Sequence, residues 1–442
     1  MSNEHVHQLV ALITEAAKTI EQEYAKGPDP IIPTLDDTKV HTTDSIPPSA
    51  TFRKALALLE GASAQLLATV APPAHTIVNR VMSFNDSGCL DVLVQNKIPD
   101  ILKGKPDGVS VSDIAGATGL NEGKLERILR RLASTHILQE VKHGVFANNR
   151  LSQQLVSEND LSAFTKSCTV DIQTGARALN AYMNDHEMSF VELPQNTPWN
   201  KGSGYHKPWF AWFQETPEGA QSAINFNRSM SAFIPTVGRE AIVDGYPWRS
   251  LPEGASVCDM GGNLGQFLVL INRKYPHLNL KLQDLPAVIE EAKNEYWPKE
   301  APQALESQKI EFKAMDFTSE APIPGCDIYY VSMVVHDWPD EVNIEILKLI
   351  KSAMKPDSRI LISEIILPPL AETPDYEHAP QPLLPNGGVG AVRAYNLDIS
   401  MMILVGAKER NLHQIQVLGD SAGLKFLKRW DMGETDLLEF TL

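Results

Sequence analysis

After Pro247 the chain alternates short β-rich runs with helical segments, and this alternation restricts the fold more than any other feature. Strands that are joined through helices pair in parallel, and the helices cover both faces of the sheet. The runs are SVCDM (256–260), NLKLQD (279–284), KIEFKAM (309–315), DIYYVSMVV (327–335) and RILISEII (359–366). The sequence therefore predicts an α/β domain with a parallel sheet, to which the last residues add a hairpin around Gly433.

The first hundred residues have helical periodicity instead. Residues 6–24 place apolar side chains at three- and four-residue spacing, which predicts an amphipathic helix. Residues 27–48 contain five prolines and predict a linker or surface loop. Helical periodicity resumes over residues 52–98, with a break at Pro72 and Pro73. We therefore expect residues 1–48 to form a helix and a linker ahead of a helical domain.

Residues 109–156 have the pattern of a helix-turn-helix followed by a hairpin. Ser112 is the expected start of the first helix, Gly119 the turn, and Asn121 the cap of the second helix. Such units bind DNA or serve as dimerisation modules. The chain has 39 Lys and Arg against 55 Asp and Glu, a net charge of −16, which repels phosphate backbones. The sequence therefore favours dimerisation and predicts no nucleic-acid partner.

The cysteines and the apolar segments of the sequence indicate the cellular compartment of the protein. Cys89, Cys168, Cys258 and Cys326 show no CxxC or Cys/His spacing, which predicts reduced thiols and no metal site. The amino terminus lacks the pattern of a secretion signal, and no uninterrupted apolar stretch approaches 18 residues. We therefore expect a cytosolic protein without a membrane partner.

The chemistry of the sheet is expected at the carboxyl ends of its strands, where α/β folds bind ligands. The loop 259–265 (DMGGNLG) follows the first run, and its glycines allow a ligand to approach the backbone closely. Asp284 ends the second run, where a carboxylate can accept both hydroxyls of a ribose. The loop does not spell GxGxxG, and a purely conformational role of Gly261 and Gly262 remains an alternative.

Six ordered segments carry a resemblance to a known family. They are VCDMGGNLGQFLVLINRKYPHLNLKLQDLPAVIEEA (257–292), Asp316-Phe317, VVHDWPDEVNIEILKLI (334–350), ILISEIILPP (360–369), PLLPN (382–386) and LDISMMILVGAKER (397–410). The chain resembles class I S-adenosylmethionine-dependent O-methyltransferases of the caffeate-type plant and fungal polyketide branch. The resemblance covers most of residues 50–442. It implies an all-helical winged-helix dimerisation domain with substrate-lining helices at 49–235 and a Rossmann-like cofactor domain at 236–442.

The resemblance also implies roles for individual residues. His336 takes the role of general base, and Glu364 and Glu409 orient it. The positions that it assigns to S-adenosylmethionine are Asp259, Gly261, Gly262, Gly265, Asp284, Leu285, Asp316, Phe317 and Trp338. The positions that it assigns to a small-molecule acceptor are His136, Arg228, Ser231, Asp337 and Met402. His136 either reaches the partner's site across a homodimer or caps the helix before it. Four aromatic residues between the helix-turn-helix and the sheet either enclose a flat acceptor or pack the domain interface. They are Phe164, Trp209, Trp212 and Phe213.

Two positions depart from the family's pattern. Asn263 stands where a glycine or serine is usual, a mild change because Asn tolerates left-handed backbone. Ser332, four residues before His336, replaces a basic residue and removes a possible contact with the cofactor.

The leading hypothesis is methyl transfer to a hydroxyl of an aromatic or polyketide-type molecule. A phenol with a pKa of about 10 is a poor nucleophile at neutral pH, whereas an imidazole can accept its proton during attack. The alternative is a pericyclase or dehydratase that keeps the cofactor as a bound cation and uses His336 to hydrogen-bond a carbonyl group. Retention of His336, Glu364 and Glu409 favours transfer, whereas Ser332 and Asn263 favour the alternative.

Overall fold

The structure is a computed structural model, and it describes residues 3–38, 40–45, 48–191, 193–236, 241–374 and 376–442. Parts of the predicted linker (39, 46 and 47) and residues 237–240, beside the predicted boundary at 235, lie outside the described residues. The strands are β1 Val109–Ser110, β2 Gln139–Lys142, β3 Val145–Ala147, β4 Ser256–Met260, β5 Asn279–Asp284, β6 Ile310–Ala314, β7 Ile328–Ser332, β8 Arg359–Ile365, β9 Lys425–Asp431 and β10 Thr435–Thr441.

The α-helices occupy both the region before β4 and the connections of the sheet. They are α1 Glu4–Tyr24, α2 Ala50–Val70, α3 Pro73–Met82, α4 Phe84–Gln95, α5 Ile98–Leu102, α6 Val111–Thr118, α7 Glu122–Ala133, α8 Asp160–Ser167, α9 Gln173–Met183, α10 His186–Ser189, α11 Pro198–Ser203, α12 Trp209–Glu215, α13 Pro217–Thr236, α14 Ala241–Gly245, α15 Gln266–Lys274, α16 Pro286–Glu291, α17 Trp297–Glu300, α18 Pro302–Glu306, α19 Asp340–Ala353, α20 Val392–Val405 and α21 Leu412–Ser421.

The large sheet has the strand order β6-β5-β4-β7-β8-β10-β9. Strands β4 to β8 are parallel, and β10 pairs antiparallel with both β8 and β9. The predicted parallel sheet with a terminal hairpin is therefore confirmed. Strand β7 is shorter than its apolar run predicts, because Met333 has a φ of 53° and turns the chain away from the sheet. This turn leads directly into the segment that carries His336.

Two apolar layers cover the sheet, one on each face. Successive residues of β4 alternate between them: Val257 packs with the layer of α14 and α15, and Cys258 with the layer of α19 and α21. Both residues are fully buried. Burial on both faces explains why the central strands read as continuous apolar runs.

The region before the sheet is mainly helical, and it contains the predicted helix, turn, helix and hairpin in that order. Asn121 caps α7 as predicted, and Gly119 has the left-handed φ of 73° that ends α6. The prediction that Ser112 starts α6 is wrong, because Ser110 accepts the capping hydrogen bond from Asp113. The expectation of an all-helical domain also needs correction, because β1 pairs with β3 and completes a three-stranded sheet.

The first two helices match the periodicity of the sequence. The helix predicted over 6–24 is α1, and the break predicted at Pro72–Pro73 separates α2 from α3. Helices α1 and α2 pack against each other, and Leu9 and Ala62 bury the loop residue Leu383 between them. That loop (366–391) connects β8 to α20, so α1 and α2 both pack on the segment that follows β8.

Among the residues that the structure describes, one segment is long and apolar enough to span a membrane. The window Gly388–Val405, which includes α20, has a mean hydropathy of 1.2, and 11% of it is buried. Its carboxyl-terminal residues Ile403 and Leu404 pack against Trp199 and Trp209 of the helical region. Helix α20, which follows β8 in the chain, therefore packs against the helical region that precedes the sheet.

Candidate active site

The glycines of the loop after β4 stand where a side chain would be strained or would collide with its neighbours. Gly261 and Gly265 have φ values of 67° and 86°. A Cβ on Gly261 would lie 3.0 Å from Val334 Cγ2 and 3.3 Å from Phe317 Cε1. A Cβ on Gly262 would lie 2.6 Å from the carboxyl group of Asp259. Positive φ therefore favours glycine at positions 261 and 265, and close packing against Asp259 favours glycine at position 262.

Asn263 completes the loop with a φ of 53°, which agrees with the expectation that Asn tolerates this turn. Asp259 is fully buried and lies beneath Gly262, so it supports the loop from below. Ser332, the other departure from the family's pattern, ends β7 and is buried.

Asp284 ends β5 beside this loop. Its Oδ2 accepts a hydrogen bond from the backbone N–H of Asn263 at 2.8 Å, and its Oδ1 accepts one from Leu285 at 2.7 Å. Partial burial raises the pKa of this carboxyl group, and the two N–H donors oppose that rise. A carboxylate has about four acceptor sites, so two remain for hydroxyl groups of a ligand. Leu285 is 52% exposed next to it.

Two aromatic rings stand close to the loop. Phe317 and Trp338 meet edge to face, with ring centroids 6.3 Å apart and an interplanar angle of 88°. Phe317 also contacts the position of Gly261. Asp316 is exposed beside them and accepts hydrogen bonds from the backbone and hydroxyl of Thr318. A glycine cradle, a carboxylate and an apolar ring wall fit a nucleoside with an aliphatic extension, as the sequence predicts.

His336 lies in a short turn, Val335–Asp337, directly after β7. Its Nδ1 is 2.8 Å from Glu409 Oε1 and 3.9 Å from Glu364 Oε2. Its Nε2 is 3.5 Å from the carboxyl group of Asp337, which is partly exposed. The structure thus brings the three predicted catalytic residues together. Their ligand atoms lie within 4.8 Å of one another, a spacing that also suits a metal ion, whereas the sequence predicts no metal site.

The two glutamates act on His336 in different ways. Glu409 contacts the imidazole itself, and it holds Nδ1 in a hydrogen bond. Glu364, at the end of β8, accepts hydrogen bonds from the backbone N–H groups of Val334 and Val335 at 3.0 and 2.7 Å. Glu364 therefore fixes the turn that carries the histidine and contributes charge from 3.9 Å. The sequence predicts the pair but not this division of roles.

Burial and charge have opposite effects on the imidazole. Burial lowers the pKa of His336, but the carboxylates of Glu364, Asp337 and Glu409 outweigh it and raise the pKa to about 10. For the carboxyl group of Glu364 burial has the opposite effect and raises the pKa to about 7, although the nearby imidazole and two backbone N–H donors lower it. The site therefore stabilises an imidazolium, which is the state of His336 after it has accepted a proton.

Three further residues that the sequence does not predict support the catalytic group, two through the turn of His336 and one through Glu409. Arg410 is buried and donates to the carbonyl oxygens of Val335 and Trp338 at 2.6 and 2.7 Å. Asn343 donates to the same two carbonyls. Asp398 accepts from the backbone N–H of Glu409 at 2.9 Å. The one available signal was position: Arg410 follows Glu409 directly, and Asn343 lies within the segment of His336.

An apolar wall stands next to the catalytic turn. The rings of Phe164 and Phe233 are stacked, with centroids 5.6 Å apart and an interplanar angle of 8°. They pack with Met333, Ile365 and Leu397. Met333 lies just before the turn of His336, Ile365 follows Glu364, and Leu397 precedes Asp398. The other aromatic candidates, Trp209, Trp212 and Phe213, pack among themselves and against α20. Of the four aromatic candidates, Phe164 is thus the one that packs next to the catalytic turn.

The remaining acceptor candidates have other surroundings. Arg228 Nε donates to Asp160 at 2.7 Å, and its Nη2 donates to the carbonyl of Ser157, so it joins α13 to the start of α8. His136 is exposed after α7, and its carbonyl accepts from Asn149. Ser231 is exposed on α13, and Met402 is half-buried on α20. Among the described contacts, those of Arg228 and His136 do not reach the group around His336.

Comparisons with known proteins identify the family of the chain. An O-methyltransferase domain family matches residues 186–425, and an O-methyltransferase dimerisation domain family matches residues 63–158. The chain is 35% identical to "3-O-methyltransferase 2" of Phanerochaete chrysosporium, over 99% of this chain and 97% of that protein.

Solved structures share the fold at lower identity. The mitomycin 7-O-methyltransferase MmcR is 22% identical with a TM-score of 0.65, and the match covers 84% of this chain and 98% of that one. A structure described as "A Pericyclic Reaction enzyme" is 20% identical with a TM-score of 0.69, over 97% and 99% of the two chains. Since one O-methyltransferase family spans more than half of the sequence, the chain belongs to the S-adenosylmethionine-dependent O-methyltransferases.

Proposed function

We propose that the enzyme transfers the methyl group to a hydroxyl of an aromatic or polyketide-type small molecule in fungal-type secondary metabolism. The observation that carries this proposal is the buried His336–Glu409 pair. The residues just before His336 join it to both neighbours, because Val334 contacts the glycine-rich loop and Met333 packs with Phe164 and Phe233. Flat apolar acceptors fit an aromatic wall, and a hydroxyl needs a base beside it. The fungal relative, named as a 3-O-methyltransferase, supports the same chemistry.

His336 carries out the proton transfer in this proposal. S-adenosylmethionine supplies a methyl group on a sulfonium when it is bound. Nδ1 is held by Glu409, so Nε2 is the nitrogen left to accept the proton of the acceptor hydroxyl. Glu409 and Glu364 stabilise the resulting imidazolium. Alignment of the two reactants and exclusion of water supply the rest of the rate enhancement.

A panel of phenolic and polyketide-type acceptors tests the acceptor class. Each acceptor is incubated with the enzyme and S-adenosylmethionine, and the product is analysed by mass spectrometry. We expect a gain of one methyl group on acceptors with a free hydroxyl and no gain on the same compounds with that hydroxyl blocked. Conversion of an acceptor without a mass gain would contradict the proposal.

A second candidate function is a pericyclic or dehydrating reaction with the cofactor as a fixed cation. Two observations favour keeping it: the likeness to a pericyclic reaction enzyme, and the raised pKa of His336, where burial is outweighed by the carboxylates. An imidazolium is a strong hydrogen-bond donor to a carbonyl oxygen. In this case the product keeps the mass of its substrate or loses water.

We predict that Asp284→Ala weakens the binding of S-adenosylmethionine about tenfold. The variant removes a carboxylate with two free acceptor sites, and hydrogen bonds to charged groups contribute about 1.5–3 kcal/mol. Calorimetry measures the affinity, with the exposed Asp420→Ala on α21 as the control. An unchanged dissociation constant in a folded Asp284→Ala protein would remove Asp284 from the cofactor site.

We also propose a homodimer through the helical domain. Every residue of α3, all of which the structure describes, is at least partly exposed, although the helix is rich in apolar residues. Its exposed apolar side chains, together with Phe84 of α4, are Ile77, Val78, Val81 and Met82. An exposed apolar patch of this kind is typical of an interface between copies of a chain. The match to a dimerisation domain supports this placement.

Sedimentation tests the dimer. We expect a dimer for the wild-type protein at micromolar concentration and a monomer for the double variant Val78→Asp, Val81→Asp, because two charges on this helix would be buried without partners. Val417→Asp, at an exposed apolar position of α21, is the control and should stay dimeric. A wild-type monomer with full activity would rule the dimer out.

A cytosolic location is the remaining part of this proposal. It is supported by the four free cysteines, Cys89, Cys168, Cys258 and Cys326. Fractionation of cells that express the tagged chain measures it, and recovery in a membrane or secreted fraction would oppose it.

A further inference from the structure

The contact between α2 and the loop 366–391 is unusually close. A Cβ on Gly61 of α2 would lie 2.3 Å from the carbonyl oxygen of Gly387. A Cβ on Gly390 would in turn lie 2.1 Å from the carbonyl oxygen of Ala57. Neither glycine has a positive φ, so both are required by the approach of the two backbones and not by their own conformation. The helix and the loop thus interlock through a reciprocal pair of glycines.

Other contacts extend this interlock along the helix. Gln65 Nε2 donates to the carbonyl oxygen of Pro382 at 2.6 Å. Leu383 is buried with Leu9 of α1 and Ala62 of α2. Both amino-terminal helices therefore hold the same stretch of the loop, and Gly61 and α1 lie before residue 63, where the matched dimerisation family begins.

The loop is connected to the active site at both of its ends. It begins after β8, which carries Glu364, and it ends in α20. Asn386 donates to the hydroxyl of Tyr395, and that hydroxyl donates to the carbonyl of Pro368, so the two ends are joined. Beyond Tyr395, α20 presents Leu397 to the wall of Phe164 and Phe233.

The same helix supports the catalytic base. Asp398 accepts the backbone N–H of Glu409, and Glu409 holds His336. A displacement of α20 therefore changes the acceptor wall through Leu397 and the base through Asp398. The glycine loop and Asp284 are on β4 and β5, outside this chain of contacts.

We propose that α1 and α2 act as a positioning element for the acceptor, with Gly61 and Gly390 as its positioning residues. This inference rests on the proposed methyl transfer. The interlock holds the β8–α20 loop so that Leu397 and Asp398 stand at the distances that the acceptor and His336 require. It affects acceptor binding and turnover and leaves cofactor binding unchanged.

Gly61→Ala is the sharpest test. Ala has the higher helix propensity, so loss of function in this variant comes from the collision with Gly387 and not from the helix. Gly116→Ala in α6 is the matched control, because a Cβ there has nothing within 4 Å. We expect Gly61→Ala to lower kcat/KM for the acceptor about tenfold, since small misplacements of reacting groups have effects of this size or larger. The affinity for S-adenosylmethionine should stay within twofold.

Gly390→Ala should produce the same change from the other side of the contact. If a Gly61 variant does not fold, Gln65→Ala replaces it, and we expect a smaller loss in the same direction. Wild-type kcat/KM in folded Gly61→Ala and Gly390→Ala proteins would overturn the inference, as would an equal loss of cofactor affinity. A wild-type enzyme that transfers no methyl group would instead contradict the proposed function.

Discussion

We expect His336→Gln to lower kcat for methyl transfer by about 10²–10⁴-fold, the usual contribution of a positioned general base. Gln can keep a hydrogen bond to Glu409, and the backbone contacts of the turn Val335–Asp337 with Glu364 and Arg410 are unchanged, so mainly the ability to take up a proton is lost. The lost interaction exists mainly in the transition state, so cofactor affinity and acceptor KM should change little. Steady-state kinetics with calorimetry of cofactor binding measures both quantities.

His143→Gln is the control for this variant, because His143 is exposed in the turn between β2 and β3 of the helical region. It should have wild-type kinetics. A folded His336→Gln protein with wild-type kcat would remove His336 from the role of base and leave alignment alone as the source of the rate.

The second large effect is expected for Glu409→Gln. The amide oxygen can still accept from Nδ1, but the negative charge that stabilises the imidazolium is gone. Hydrogen bonds to charged groups contribute about 1.5–3 kcal/mol, so we expect kcat to fall about tenfold to a hundredfold.

The pH dependence separates charge from geometry in this variant. Burial lowers the pKa of His336, and the carboxylates of Glu364, Asp337 and Glu409 raise it to about 10. Removal of one negative charge lowers that pKa, so the deprotonated base is present at lower pH and the acidic limb of the kcat profile moves to lower pH. Glu345→Gln, at an exposed position of α19, should leave the profile unchanged. A limb that stays in place or moves upward would contradict the charge effect.

The sequence predicts the parts of the fold that depend on local pattern. The strand runs follow from apolar runs between helical segments, and the glycine loop follows from its position after the first run. The association of His336 with Glu364 is implied by the family resemblance and not by the strand pattern. In the structure the two residues lie close because β7 and β8 are neighbouring parallel strands.

The parts that the sequence does not predict depend on contacts between distant segments. The support of the His336 turn by Arg410 requires the loop after α20 to fold back on the turn after β7. The interlock of Gly61 and Gly390 joins positions 329 residues apart, and isolated glycines in a helix and a loop give no signal of a contact. At α6, Ser110 and Ser112 are equally good caps by residue type, and only the strand before the helix selects Ser110.

The central claim is that the methyl group leaves the cofactor in each turnover, and the ratio of S-adenosylhomocysteine released to product formed tests it most directly. Both species are counted by mass spectrometry over many turnovers with an acceptor from the active part of the panel. Methyl transfer predicts a ratio of one to one and a product heavier by one methyl group. Product that accumulates without release of S-adenosylhomocysteine would contradict methyl transfer and establish the cofactor as a bound cation.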